Sequence, residues 1–284
     1  MKKLASGLAE RGFDKGDVFA IFSPNVPEYA LAFHGIATAG GIATTINPLY
    51  TVEELTFQLE HSRAKYLLTI PQFLDRAREA AEKAGVEEVF VLGEAEGATP
   101  FAALLGSDAA PPEIEFDPAE DLVVMPYSSG TTGLPKGVML THRNLVANVC
   151  QSIAPHSTDE NDIVIGVLPF FHIYGMTVIM NMGLHAGVTT VTMPRFDLEQ
   201  FLGLIEEHSV SRVYVVLGRA EPALHHARRC LELCETRVRV HVVECAEELF
   251  FGMEISRCAV AADAHAPVLV EWAGACGEHE VTDP

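Results

Sequence analysis

The stretch YSSGTTGLPKGVML occupies residues 127–140, and its reading decides the fold. Three Gly, four small hydroxyl side chains, one Pro and one Lys stand together there between two apolar runs. Gly and Pro at that density mark a loop whose backbone adopts φ values that other residues avoid. DLVVMPY (121–127) before it and GVMLT after it both read as strands, so the loop joins strand to strand.

Three readings of the loop can be compared. A P-loop needs G-x-x-x-x-G-K-[ST] running into a helix whose N-terminus holds phosphate. Here Lys136 is preceded by Pro135 and followed by Gly137, and a strand comes next, so spacing and context both fail. An ordinary hairpin uses about two to five residues and leaves the hydroxyls and the lysine without work. The third reading is a phosphate-gripping loop. Backbone N–H groups freed by Gly130 and Gly133, the hydroxyls of Ser128, Ser129, Thr131 and Thr132, and the Lys136 ammonium form a donor set suited to the triphosphate of ATP.

Composition restricts the partners. The 284 residues carry 39 acidic against 19 basic side chains, a net charge of −20. Such a chain repels nucleic acid and anionic membranes, so a phosphate site must supply its own local positive field. The longest apolar stretch, 163–191, is interrupted by Pro169, His172 and Asn181, and a membrane span needs about 20 continuous apolar residues. MKKLASGLAERGFDKGD lacks the apolar core of a signal peptide, and the final VTDP matches no sorting address. The expectation is a cytoplasmic chain with free thiols, and nothing in the sequence sets an oligomeric state.

The first two hundred residues alternate helix and strand patterns. A helix with Leu4 and Leu8 on one face stops at Gly12, DVFAIFS reads as a buried strand, and VPEYALAFHGIATAG as a helix. IATTI is a strand, and Thr51 with Glu54 forms a capping box that opens a helix through about His61. KYLLTI, PQFLDRAREAAEKAG and EEVFVL continue the rhythm as strand, helix and strand. Residues 94–120, rich in Ala, Pro, Gly and acid, read as a loop or linker and a lobe boundary. Beyond the glycine loop, HRNLVANVCQSI is helical, DIVIGVLPF a strand, FHIYGMTVIMNMGLHAG helical, VTTVTM a strand, DLEQFLGLIEEHS helical and RVYVV a strand. The fold class is therefore α/β, with layered, mainly parallel sheets carrying helices on both faces.

The string YSSGTTGLPKGVMLTHRNL resembles the phosphate-binding motif of the adenylate-forming, AMP-binding superfamily, which includes acyl-CoA synthetases, luciferases and peptide-synthetase adenylation domains. Joined to LPFFHIYGM (168–176), it is most similar to the 4-coumarate–CoA ligase and fatty acyl-CoA ligase branch. The order of segments from Leu4 to Val216 resembles the N-terminal domain of that branch, over about three quarters of the chain. The resemblance implies a ligase that joins an aryl or fatty carboxylic acid to AMP and passes the acyl group to coenzyme A, using ATP and Mg²⁺. It implies that Ser128, Ser129, Gly130, Thr131, Thr132, Gly133 and Lys136 hold the ATP phosphates. His172 then lines the acyl pocket beside the reacting carboxylate, Tyr174 stands beside the acyl group, and Arg195 is associated with coenzyme A. Read from the residues alone, His172 could equally be a satisfied buried histidine and Arg195 a solvated surface residue. The run GMTVIMNMGL fits plain core packing as well as a pocket wall.

The resemblance breaks at Val216. Members of this family carry further on a Y-G-x-T-E motif for adenine and Mg²⁺, a T-G-D aspartate for ribose, and a catalytic lysine in a small C-terminal domain. None of these is present, and no Lys follows Lys136. Residues 217–284 hold five of the six Cys and the single Trp but no Lys, Asn, Gln or Tyr, and their strand and helix signals are weak. Cys230, Cys234, Cys245 and Cys258 with His225, His226 and His241 lack the paired C-x-x-C of structural zinc sites. The expectation is a divergent tail after a partial AMP-binding domain of residues 1–216. The tail's composition suits a GC-rich gene read out of frame. That hypothesis requires a family continuation in another reading frame, and translating both other frames without finding one would remove it.

Overall fold

A computed structural model of the chain describes residues 1–128, 135–217, 238–244 and 269–273. The chain divides into two compact units, Met1–Ser152 with Pro169–Asn181, and Ile153–Leu168 with Met182–Pro284. In the first unit the elements are α1 (Lys2–Glu10), β1 (Val18–Phe22), α2 (Pro27–Thr38), β2 (Ile42–Thr45), α3 (Val52–Ser62), β3 (Ala64–Thr69) and α4 (Leu74–Ala84). They are followed by β4 (Glu88–Val91), β5 (Thr99–Pro100), β6 (Leu122–Val124), β7 (Tyr127–Ser128), β8 (Lys136–Gly137), β9 (Leu140–Thr141) and α5 (His142–His156), whose end from Ile153 onward belongs to the second unit.

Seven strands form one sheet in the order β5-β4-β3-β1-β2-β6-β9, parallel except for the last pair. Parallel neighbours require crossovers, and the helices between them supply these and cover both faces. The central strand β1, VFAIF, is buried at every position. Its Val18, Ala20 and Phe22 pack against Leu55 and Leu59 of α3 and Ala77, Ala80 and Ala81 of α4. Phe19 points to the opposite face, into an aromatic cluster with Phe13, Tyr66 and Phe90. The Tyr66 hydroxyl donates to the Arg11 carbonyl at the end of α1 at 2.6 Å, fixing α1 on that face. A Cβ on Gly35 of α2 would come 2.1 Å from Leu4 of α1, so that glycine permits close approach of the two helices.

Local signals act where the sequence places them. Thr51 Oγ1 accepts from the Glu54 amide at 3.3 Å and the Glu54 carboxylate accepts from the Thr51 amide at 2.8 Å, completing the capping box of α3. Such a cap is worth about 1 kcal/mol. Gly12 and Gly85 take φ of +74° and +72° at helix ends, where a side chain would be strained. Residues 94–120 are more than a linker. They add β5 to the sheet and a 3₁₀ turn, Phe101–Leu105, whose Phe101 and Leu104 are buried. The Leu104 carbonyl oxygen would lie 2.1 Å from a Cβ on Gly7, so the turn packs directly on α1.

The second unit holds β10 (Ile163–Gly166), α6 (Met182–Ala186), β11 (Thr189–Thr192), α7 (Leu198–Glu207), β12 (Arg212–Leu217), β13 (Arg239–Glu244) and β14 (Leu269–Ala273). Its strands run in the order β11-β10-β12-β13-β14, and all are parallel. Ile165, Met193, Phe201, Ile205, Val210, Val213 and Val238 form its core. Two strands thus come from the stretch after Val216. The first, RVHVVE, is rich in β-branched residues, a signal the weak overall pattern of that stretch conceals.

Among the described residues Arg212 is the largest fully buried side chain, at 1% exposure. Its Nε lies 2.6 Å from Asp162 Oδ2. Its terminal nitrogens donate to the His156 and Ser157 carbonyls at 2.5 and 2.6 Å, capping the end of α5, whose last turn contains Pro155. Burial alone would raise the Asp162 carboxyl pKa. The Ser211 hydroxyl, the Asp159 amide and Arg212 together hold it below the usual carboxylate value. Arg212→Ala leaves that carboxylate buried without its cation and should cost about 3–5 kcal/mol in urea unfolding of the second unit. Because the folded pKa of Asp162 is depressed, its contribution is full above the unfolded value of about 4 and is lost as pH falls further. Stability measured between pH 7 and 3 should fall less steeply at the acid end in Asp162→Asn than in the parent chain.

Candidate active site

Among the residues that sequence reading assigns to the phosphate loop, Ser129, Gly130, Thr131, Thr132 and Gly133 lie outside the described residues, as do the tail's Cys and His residues apart from the backbone of His241. The base of the loop is described. β7 and β8 pair antiparallel, Tyr127 opposite Gly137 and Ser128 opposite Lys136. GVMLT does not form one strand as its pattern suggests, but divides between β8, paired with β7, and β9, paired with β6. Pro126 has no N–H to offer, and between the two ladders only its carbonyl is used, accepting from the Val138 amide at 2.8 Å. At the mouth of the hairpin Lys136 is exposed. The Ser128 Oγ opposite it is buried and has no hydrogen-bond partner among the described residues.

The strand entering the loop is held from below. Met125 N–H donates to the Ala43 carbonyl at 2.8 Å, and Thr44 Oγ1 donates to the Met125 carbonyl at 2.9 Å. Gln58 of α3, 1% exposed, donates to Thr44 Oγ1 at 3.0 Å and to the Thr45 carbonyl at 3.1 Å. Adjacent strand residues face opposite sides of a sheet. Thr45 accordingly turns away from α3 and donates to the Phe171 carbonyl at 2.8 Å, beside His172. Two neighbouring threonines thereby fix both the loop's lead-in and the FHIYG segment.

That segment docks through further polar contacts. The Phe170 amide donates to Asn25 Oδ1 at 2.8 Å, and the Phe170 ring meets Tyr29 of α2 edge to face at 5.8 Å. The Tyr174 amide donates to His172 Nδ1 at 3.3 Å, which places the proton of the neutral ring on Nε2. Burial lowers the His172 pKa below its ordinary value, so the ring is neutral at pH 7. His172 and Tyr174 are both partly buried. Beyond them the helix that the sequence predicts is present, but Gly175–Asn181 is wound as a π-helix and buried throughout. Within it Thr177 Oγ1 donates to the Ile173 carbonyl at 2.7 Å. Wide turns of this kind occur often at functional sites.

Arg195 belongs to the second unit, exposed between β11 and α7. Sequence reading missed Asn25, Thr44, Thr45, Gln58 and His61. One signal existed: Gln58 falls in the apolar stripe of α3 with Leu55, Leu59 and Ser62, where an unpartnered amide would be costly. No helix among the described residues is long and apolar enough to cross a membrane.

Residues 1–276 match the sequence pattern described as AMP-binding enzyme. The chain belongs to the AMP-binding enzyme family. Among its relatives, 4-coumarate–CoA ligase 2 of Petroselinum crispum is 38% identical over 215 residues, 74% of this chain and 39% of the relative. 4-Coumarate–CoA ligase 5 of Oryza sativa subsp. japonica is 40% identical over 215 residues, again 74% of this chain and 39% of the relative. A long-chain-fatty-acid–CoA ligase from Archaeoglobus fulgidus has the same fold with a TM-score of 0.74 and 29% identity, covering 85% of this chain and 48% of that one. MatB from Rhodopseudomonas palustris, solved with ATP bound, gives a TM-score of 0.68 at 25% identity over 85% of this chain and 47% of that one. This AMP-binding chain thus spans about two fifths of the length of the curated relatives it matches.

Thr45→Val keeps the shape of β2 but leaves the Phe171 carbonyl without its hydroxyl donor. An unsatisfied buried carbonyl costs about 1–3 kcal/mol, and the loss should appear in chemical unfolding of the first unit. Thr38→Val, which removes only a hydroxyl bonded within α2, should cost distinctly less.

Proposed function

We propose that the chain is the phosphate- and acid-binding part of an ATP-dependent carboxylic acid–CoA ligase acting on an aryl or fatty acid. The observation that carries the reading is the base of the loop, where the exposed Lys136 ammonium and the buried Ser128 hydroxyl, unpaired among the described residues, stand on facing strands within a family of AMP-binding enzymes. That donor pair fits polyphosphate, and in a chain of net charge −20 the loop needs its own cation. In adenylate formation negative charge grows on the leaving pyrophosphate, and preorganised donors stabilise it. Ser128, Ser129, Gly130, Thr131, Thr132, Gly133 and Lys136 are assigned to the phosphates. His172, neutral with its proton on Nε2, donates toward the acid carboxylate while staying uncharged, and Tyr174 lines the acyl group. Arg195 is assigned to coenzyme A. When bound, Mg²⁺ neutralises phosphate charge.

The family's Y-G-x-T-E motif does not occur in residues 217–284. That favours a second reading, a nucleotide-binding chain without catalysis. Residues 1–216 are assigned to the partial AMP-binding domain and 217–284 to a divergent tail, in a cytoplasmic protein. ATP–pyrophosphate exchange with a panel of aryl and fatty acids separates the readings. Exchange that falls by more than about a hundredfold in Lys136→Ala would support acyl-adenylate formation. ATP binding without exchange would leave only the non-catalytic reading, and a folded chain that binds no ATP would exclude both.

A further inference from the structure

His61, near the end of α3, reaches the loop's first residue. Its Nδ1 lies 2.6 Å from the Tyr127 hydroxyl, and the two rings meet edge to face with centroids 5.6 Å apart. Phe57, one turn earlier on α3, stacks on the same imidazole at 5.6 Å and 21°, so the ring that meets the phenol is itself held. Burial raises the Tyr127 pKa to about 12, which keeps the phenol protonated and neutral. Across the hairpin, a Cβ on Gly137 would come 3.2 Å from the Tyr127 ring and 3.0 Å from Met125. One aromatic side chain therefore touches α3 with its hydroxyl and the returning arm with its edge, one residue from Lys136.

The hairpin needs such an anchor. β7 and β8 share two residue pairs, and even a longer two-stranded hairpin is marginal in water. Gln58, on the same helix face three residues before His61, already holds the lead-in through Thr44. We propose that His61 and Tyr127 form a positioning pair that docks the phosphate hairpin onto α3 and so sets where the Lys136 ammonium meets a nucleoside triphosphate. The identity of the ligand rests on the function proposed above; the docking rests on the contacts alone.

The test compares the full chain with Tyr127→Phe, His61→Leu, His61→Gln and the Tyr127→Phe/His61→Leu double variant. Amide hydrogen exchange at Val138, whose N–H closes the hairpin on Pro126, reads the docking. Tyr127→Phe and His61→Leu should each speed that exchange about three- to tenfold, as loss of one hydrogen bond implies. The double variant should add nothing to either single change, and His61→Gln, which keeps an acceptor, should recover most of the loss. MgATP affinity, read by calorimetry, should weaken by a similar factor while carboxylic acid affinity stays constant. Unchanged exchange at Val138 in both single variants would overturn the docking. Faster exchange with unchanged MgATP affinity would overturn the positioning role. A parent chain that binds no MgATP would count against the proposed function, with the exchange result still deciding the docking.

Discussion

The candidate site depends on a polar junction at strand β2. Gln58, Thr44 and Thr45 are buried, and burying amides and hydroxyls is tolerated only when they find partners. Here the partners are the backbone carbonyls of two segments far away in sequence, Met125 before the glycine loop and Phe171 before His172. The pleat of a strand sends neighbouring side chains to opposite faces. One Thr–Thr step can therefore grip the loop's lead-in from one side and the FHIYG segment from the other. A register slip of one residue would exchange the two faces and release both.

Electrostatics gives the loop its importance. A chain this acidic offers a phosphate little attraction at long range, and screening limits surface fields to about 8 Å at physiological salt. Recognition must come from donors fixed at contact distance, and fixing them is costly for a glycine-rich segment with much backbone entropy to lose. The surroundings of the loop answer that cost. Its base is a short ladder, its entry is bonded through Thr44, and Tyr127 leans on His61. The neutral His172 fits the same logic, because burial removes a charge that would otherwise have to be solvated.

The second unit relies on a different arrangement. A buried arginine brings little net stability by itself, since desolvation opposes the ion pair. Arg212 instead satisfies several groups at once: the Asp162 carboxylate and the two carbonyls at the proline-containing end of α5. Its register with Arg239 carries the parallel sheet into β13 and β14.

Much of this was legible in the sequence, because the signals are local. The alternation of strand and helix, the Thr51 capping box and the glycine punctuation each act over a few residues, and the loop motif identifies its family by composition and order alone. Other features were illegible for the same reason. Nothing near residues 101–105 announces that they pack on α1. Pro126 interrupts the strand before the loop, and the expected strand after it divides to match, β8 on β7 and β9 on β6. The π-helical winding of Gly175–Asn181 is likewise something that periodicity does not record. The sequence by itself determined the α/β class, the family and the donor chemistry of the loop. Only the tertiary structure decided that Thr44, Thr45, Gln58 and His61 hold it, because long-range hydrogen bonds depend on which strands become neighbours.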